Sequence, residues 1–246
     1  MKALIFAAGF GSRLRPLTDN IPKAMVRVGG KTMLEWVAEK LIAAGVSDIV
    51  VNVHHRGRML ENFIFSLDYP GIRFHISDEK EKLLDTGGGL KKAESMLKGE
   101  GPFFIHNVDV LSDISLTSML STHLEKRPLA TLAVSRRESS RRFLWQDGLL
   151  TGWENRISGE RIFCREESLD GFEPLAFSGV HLVEPSVFEL IKEKGAFSIN
   201  SLYLRLAENH PIMAFRHDAG NWADIGTPEK LIRAGRLMAA NPGIFR

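Results

Sequence analysis

Lys2-Ala-Leu-Ile-Phe-Ala-Ala-Gly-Phe-Gly-Ser-Arg-Leu-Arg-Pro-Leu-Thr-Asp-Asn-Ile-Pro-Lys23 opens the chain, and its reading decides the fold. Lys2 to Ala7 is apolar and carries no charge inside it, the pattern of a short buried strand. It runs straight into a turn with Gly9 and Gly11, where the missing Cβ lets backbone approach a ligand and exposed amides make an anion-binding concavity. Arg13 and Lys23 bring two cations to the same loop, and Pro16 and Pro22 stiffen the path between them. Together these features suggest a triphosphate site. Two better-known phosphate loops do not fit. A dinucleotide fingerprint needs a small residue at position 14, where Leu14 stands, and a Walker loop needs Gly-Lys-Ser/Thr after its glycines.

The longer pattern Gly-x-Gly-x-Arg-Leu-x-Pro-x-Thr-x-x-x-Pro-Lys closely resembles the signature of the sugar-1-phosphate nucleotidyltransferases, the NDP-sugar pyrophosphorylases. In that family the loop folds over a nucleoside triphosphate. The resemblance therefore implies nucleotide contacts at Ala7, Ala8, Gly9, Gly11 and Ser12. It implies catalytic roles for Arg13, which would hold the leaving pyrophosphate, and for Lys23, near the α-phosphate and the sugar phosphate.

The 246 residues, 44% of them hydrophobic, can bury the core of one domain or a large α/β unit. A net charge of +2 gives no field that argues for nucleic acid. The one cysteine, Cys164, excludes an intrachain disulfide and suits a reducing compartment. The first strand leaves no room for a signal peptide, and no apolar run approaches membrane-spanning length. The expectation is a soluble cytoplasmic protein with no membrane partner.

Ala24 to Val28 reads as a short extended piece, and Thr32 as the cap of a helix that ends at Gly45. Ile49 to Val53 is a second buried strand whose tail, Asn52-Val-His-His55, belongs at the carboxyl edge of a sheet. The His pair invites a metal reading, but neighbours in a strand point to opposite faces. A helix from Arg58 to Leu67 and a strand from Ile72 to Ser77 follow. The charged run after Asp78 reads as a solvated loop. Gly87, Gly88 and Gly89 then start a helix from Leu90 to Leu97, and a glycine-rich helix start offers free amides to a base or phosphate. In the resembling family this segment lines the nucleoside pocket, which implies Gly87 and Gly88 as nucleotide contacts. Asp85-Thr-Gly-Gly-Gly89 is most similar to the version in N-acetylmuramate-1-phosphate uridylyltransferases of cell-wall recycling. Heptose and mannose guanylyltransferases carry similar glycines.

Phe103 to Val108 is the most apolar strand and ends in Asn107-Val-Asp109. A carboxylate there sits where open α/β sheets place ligand chemistry. Asp113 suits a cap for the Ser115 to Lys126 helix. Arg136 to Arg142 reads as a solvated basic loop without aromatic interleaving. Phe177-Ser178-Gly179 resembles the family's sugar-binding strand, which implies Asn107, Ser178 and Gly179 at the sugar; a bulge at Gly179 is the alternative. Many relatives carry a Glu-Lys-Pro triplet on the sugar side, and this chain has none. Ile212 to Arg216 reads as the last strand. Thr227 with Pro228 starts the final helix, Glu229 to Ala240. Trp222-x-Asp224-x-Gly-Thr is the second family match. It implies Asp109 and Asp224 as the ligands of a catalytic Mg²⁺, although Asp224 alone could be helix-entry chemistry. Two facing carboxylates without metal should repel, so that one titrates high.

The expected architecture is one α/β domain over residues 1–246, Rossmann-like and three-layered. Its twisted sheet is mostly parallel, and a small β-rich sugar-side lobe covers about Arg136 to Ala176. The β-helix extension of larger members is missing, which implies no acetyltransferase activity. The implied reaction is NTP plus sugar 1-phosphate giving NDP-sugar and pyrophosphate, with UTP and N-acetylmuramic acid 1-phosphate the favoured pair. Mannose or heptose guanylyl transfer, or a non-catalytic sugar-nucleotide-binding subunit, are the alternatives. A homodimer is compatible with this reading.

Overall fold

The computed structural model describes residues 1–164 and 171–245. Residues 165–170, inside the expected sugar-side lobe, lie outside them. Lys2–Phe6 forms β1, with Ala3, Leu4 and Ile5 fully buried. Burying Leu4 and Ile5 stabilises the fold by about 1.5–3 kcal/mol each. The glycine loop then makes single 3-10 turns at Ser12–Leu14 and Lys23–Met25. Ala24 to Val28 is therefore not one extended piece: its first half turns, and only β2 (Arg27–Val28) pairs with β3 (Lys31–Thr32). Helix α1 (Met33–Ala43) starts on a capping box. Thr32 Oγ1 accepts from the Glu35 amide, and the Thr32 amide donates to the Glu35 carboxylate. Its Met33, Leu34, Val37, Ala38 and Leu41 face is buried.

Strand β4 (Asp48–Val53), α2 (Gly57–Ser66) and β5 (Arg73–Asp78) follow. Helix α3 (Asp85–Lys92) and the short α4 (Glu94–Leu97) lead to β6 (Phe103–Asn107). The glycines thus lie inside α3 instead of preceding a helix. Beyond β6 come β7 (Val110–Ser112), α5 (Leu116–Lys126) and β8 (Ala130–Ser135). Ser115 caps α5 by accepting from the Ser118 amide. Asp113 does not cap it; its carboxylate takes the backbone and side-chain nitrogens of Asn221 instead.

The sugar-side region holds β9 (Arg141–Gln146), β10 (Leu149–Asn155) and β11 (Arg161–Phe163). The long β12 (Glu173–Val183) returns to the main sheet, followed by α6 (Val187–Leu190), α7 (Ile199–Leu206) and β13 (Ile212–Arg216). One strand more than expected follows: β14 (Trp222–Asp224), ahead of α8 (Pro228–Ala240). Thr227 accepts from the Lys230 amide to start α8.

The main sheet runs β11-β10-β13-β8-β12-β6-β1-β4-β5, with β9 beside β10 and β12. Strands β5, β4, β1 and β6 are parallel, and β12 pairs antiparallel with both β6 and β8. Because β8 and β13 are parallel to each other, both run in the direction of β6. The lobe strands are antiparallel. Alternate residues of β1 feed two cores. Ala3 and Ile5 join the one under α1, α5 and α8, while Leu4 joins the one under α3 and α7. The sheet is covered on both faces, the three-layer α/β arrangement read from the sequence.

Candidate active site

The glycine loop is held from behind. The amides of Ala7 and Ala8 donate to Asn52 Oδ1 at 2.6 and 3.2 Å. Asn52 Nδ2 donates to Glu79 Oε1 at 2.7 Å, and Glu79 Oε2 accepts the Leu84 amide at 2.9 Å. Asn52 and Glu79 are both buried. Two expectations change. Ala7 and Ala8 line the cleft, but their amides are committed to Asn52 instead of standing free for a nucleotide. Glu79, inside the run that reads as a solvated loop, is a buried brace. Asn52 had a signal, a polar residue at the end of an apolar strand; Glu79 had none among its charged neighbours.

Gly9 is exposed, and a Cβ built there meets nothing within 4 Å, so the loop is open at this point. Gly11 has φ +64°, and its carbonyl accepts from Thr18 Oγ1 at 2.8 Å. That left-handed turn leads into Ser12–Leu14. Ser12 and Arg13 stay exposed while Leu14 is fully buried. The residue that breaks the dinucleotide fingerprint is thus the loop's anchor.

Asp109 occupies the turn between β6 and β7, and β14 docks against β7 with Asp224 opposite Val110. The Ile225 amide donates to the Asp109 carbonyl at 2.9 Å, which completes a ribbon with the two aspartates at one end. Lys23 pairs with the Asp109 carboxylate. Lys230 Nζ lies 2.6 Å from Asp224 Oδ2, and the Gly226 amide donates to Asp224 Oδ1 at 2.8 Å. A Cβ on Gly226 would be 2.7 Å from Asp224 Oδ1 and 3.1 Å from Arg13 Nη2, so both side chains flank this glycine. Burial pushes the Asp224 carboxyl up, but the Lys230 contact, the Gly226 amide and the Lys23 charge outweigh it and hold the group low. One of the two carboxylates was expected to titrate high without metal; Asp224 is instead held low, because these contacts outweigh its burial. Among the described residues no set of three or more His, Cys, Asp or Glu forms a metal cage. Two carboxylates with open surroundings suit an ion that takes its remaining oxygens from substrate phosphates, as Mg²⁺ does. The same residues that could hold it are Asp109 and Asp224.

A cleft of about 230 Å³ lies beside Lys23 and Asp109, with Gly9, Asn107, Asp85 and Thr86 also on its walls; Arg13 and Asp224 are not among its lining residues. Gly87 and Gly88 are not among its lining residues. Their amides donate to the Phe197 carbonyl at 2.8 and 3.3 Å. A Cβ on Gly87 would lie 2.3 Å from the Phe197 ring, and one on Gly88 would lie 2.4 Å from the Gly195 carbonyl. The free amides expected of these glycines are thus spent on packing α3 against the segment that precedes α7. The Thr86 hydroxyl accepts the Ile199 amide, which fixes the start of that helix as well.

On the sugar side Asn107 faces the cleft, but Ser178 does not. It is fully buried, its hydroxyl meets His217 Nε2 at 2.7 Å, and its carbonyl accepts the Trp222 indole at 2.9 Å. The register of β12 against β8 breaks between Phe177 and His181, and Gly179 has φ +75°. A Cβ there would sit 2.8 Å from Asn107 Nδ2. Gly179 is a bulge that lets Asn107 lie against the strand, the alternative reading of that glycine. His54 and His55 pack on the Phe10 ring, each with centroids 5.4 Å apart, and His54 Nδ1 bonds the Glu79 carbonyl.

The basic segment is largely exposed, as expected of a solvated stretch, but several of its arginines are paired. Arg136 pairs with Glu173 and Arg142 with Glu154. Arg137, which sequence reasoning missed, stacks its guanidinium 3.8 Å from the Trp222 ring centre and donates to the Phe177 carbonyl. Burial pushes its guanidinium down to about 10, against the nearby charge of Asp224. It stays charged at neutral pH.

The pattern of the Nucleotidyl transferase family matches residues 2–151. The N-acetylmuramate alpha-1-phosphate uridylyltransferase of Caulobacter vibrioides is 32% identical, over 97% of this chain and 97% of its own. This chain belongs to the sugar-1-phosphate nucleotidyltransferases. It is an enzyme of that family. The mannose-1-phosphate guanyltransferase of Hypocrea jecorina is 31% identical over 94% of this chain but only 62% of its own length. A UDP-glucose pyrophosphorylase solved with UDP-glucose superposes with a TM-score of 0.77 at 21% identity, covering 97% of this chain and 98% of that one. That likeness shows the fold: a nucleotidyltransferase sheet with helices on both faces.

Proposed function

We propose that this nucleotidyltransferase joins UTP to N-acetylmuramic acid 1-phosphate, releasing pyrophosphate and a UDP-sugar. The observation that carries the reaction class is the ribbon that brings Asp109 and Asp224 to one end, with Lys23 paired to Asp109 on the cleft wall. A sugar-phosphate oxygen attacks the α-phosphorus of the triphosphate. The bond from that phosphorus to the bridging β-oxygen breaks, and its electron pair leaves with pyrophosphate. The second pKa of a phosphate monoester is about 6, so the nucleophile is already largely dianionic and needs no general base.

This chain's residues then align the substrates and offset charge. Lys23 leaves Asp109 for phosphate oxygen at the α-position, where negative charge grows. Arg13 meets the departing pyrophosphate. Gly9 lets phosphate come close to backbone, while the Asn52–Glu79 brace keeps the loop from shifting. Mg²⁺, held by Asp109 and Asp224, would supply neutralisation of phosphate charge. The reading takes the chain as one domain working in the cytoplasm. Among the described residues no helix is long and apolar enough to cross a membrane.

The choice of substrate pair rests on Asp85-Thr86-Gly87-Gly88-Gly89 and on end-to-end alignment with the uridylyltransferases. The guanylyltransferases align over a smaller share of their length. Pyrophosphate release with each NTP crossed against a panel of sugar 1-phosphates tests it. UTP with N-acetylmuramic acid 1-phosphate should give the highest kcat/KM. Turnover of GTP with mannose 1-phosphate and none of UTP would overturn the pair and leave the reaction class standing.

A further inference from the structure

Arg137 differs from the nearby arginines that engage a carboxylate, and from Arg141, which is exposed. Arg136, Arg142, Arg156 and Arg161 each engage a carboxylate. Among the described residues no carboxylate lies within ion-pair distance of Arg137, and its Nε is buried without a hydrogen-bond partner. A desolvated guanidinium with no anion is expensive to keep unless an anion arrives. Nothing about the fold alone requires charge here, because the Phe177 carbonyl could be satisfied by any neutral donor.

Its position is also fixed in advance. Trp222, the stacking platform, is locked by its indole N–H to the Ser178 carbonyl. Phe177 holds one end of the fork. Trp222 is two residues before Asp224 on the same short strand, and Arg137 lies within charge range of that aspartate. A planar fork stacked on an aromatic ring suits bidentate binding of phosphate or carboxylate oxygens. The other cations at the carboxylate pair come from different directions: Lys23 and Arg13 from the glycine loop, Lys230 from α8. Arg137 comes from the loop between β8 and β9.

We infer that Arg137 is the cation on the sugar side that receives the 1-phosphate of the incoming sugar and aims it at the α-phosphorus. The inference rests on the nucleotidyl-transfer reading. The phosphate is shared by every sugar 1-phosphate. The carboxylate of an acyl-ether sugar is the other anion such a fork could take.

The test compares the whole protein with Arg137→Gln, which keeps a donor for Phe177, and with Arg137→Lys, which keeps the charge. Steady-state kinetics should show KM for the sugar 1-phosphate raised roughly ten- to a hundredfold in Arg137→Gln, the range for one charged hydrogen-bonded contact. KM for NTP, and KM for pyrophosphate in the reverse direction, should stay within about twofold, and Arg137→Lys should recover part of the loss. A structural strut would instead move all three constants or lower the melting temperature without selectivity. Running N-acetylglucosamine 1-phosphate beside N-acetylmuramic acid 1-phosphate separates the two anions. A loss confined to the muramic substrate would overturn the phosphate assignment in favour of the carboxylate. Calorimetric binding of each sugar 1-phosphate to wild type and Arg137→Gln gives the same comparison without turnover. If no NTP is turned over, the nucleotidyl-transfer reading fails, and equal affinities in that titration would sink the Arg137 assignment separately.

Discussion

Lys23 and Lys230 each hold one of the two aspartates before any substrate arrives. Lys23→Ala should lower kcat by about a hundredfold or more, the scale for one oriented charge donor, while KM for NTP changes little. An unchanged kcat with weaker NTP binding would make Lys23 an anchor only. Asp109→Asn and Asp224→Asn should each remove most activity. If both serve one ion, the double variant should be little worse than the worse single one. Losses that multiply in the kinetic cycle would mean separate roles. These carboxylates were legible because each closes a motif, Asn107-Val-Asp109 or Trp-x-Asp224-x-Gly-Thr. Arg137 was not, since a run of arginines says nothing about which one loses its water.

Helix α3 carries a different lesson. Its glycines were read as ligand contacts because a glycine-rich helix start offers free amides. A glycine can equally mark the place where another segment comes too close for a Cβ, and Phe197 and Gly195 do so here. That partner lies more than a hundred residues downstream, beyond any local pattern. Gly88→Ala should therefore destabilise by about 1–3 kcal/mol, the range for overpacking. Because backbone is the obstacle, thermal melting should show a fall of several degrees. Asn52→Ala would orphan the Ala7 and Ala8 amides behind the glycine loop. It should cost about 1–3 kcal/mol of stability and raise KM for NTP, measured by urea titration and kinetics on one preparation. A weaker fold with KM unchanged would separate the brace from the site. The strands themselves were legible from their apolar runs, whereas β14 was not, since three residues ending in a carboxylate show no alternation.

Across the whole molecule the sheet changes character at β12, where the antiparallel strand crosses between β6 and β8. His106 and His181 sit on neighbouring strands at that junction, opposite Val180 and Ile105 and so on opposite faces of the sheet, both fully buried. Burial pushes His106 down to about 4; burial and the His106 charge push His181 to about 3. In the unfolded chain both titrate near 6.5. Above about 6.5 both are neutral in either state, and their stability contribution is fully present. As pH falls below that value the unfolded chain takes up protons that the folded one refuses, so stability is lost on the way toward pH 4 and then 3. The slope approaches about 1.4 kcal/mol per pH unit for each group. Urea midpoints at pH 7.5 and 5 should show the loss. A midpoint that does not move would mean that both rings protonate inside the fold.

The pairing of β7 with β14 also sets an order in time. Synthesis delivers the glycine loop and Asp109 long before Asp224, because β14 lies near the end of the chain. At roughly 5–20 residues per second, the stretch between Lys23 and Asp224 takes on the order of 10–40 seconds to emerge. Throughout that interval the growing chain has the glycine loop but lacks the second carboxylate, the Trp222 platform and Lys230. The two carboxylates therefore meet only after the segment through β14 has left the ribosome.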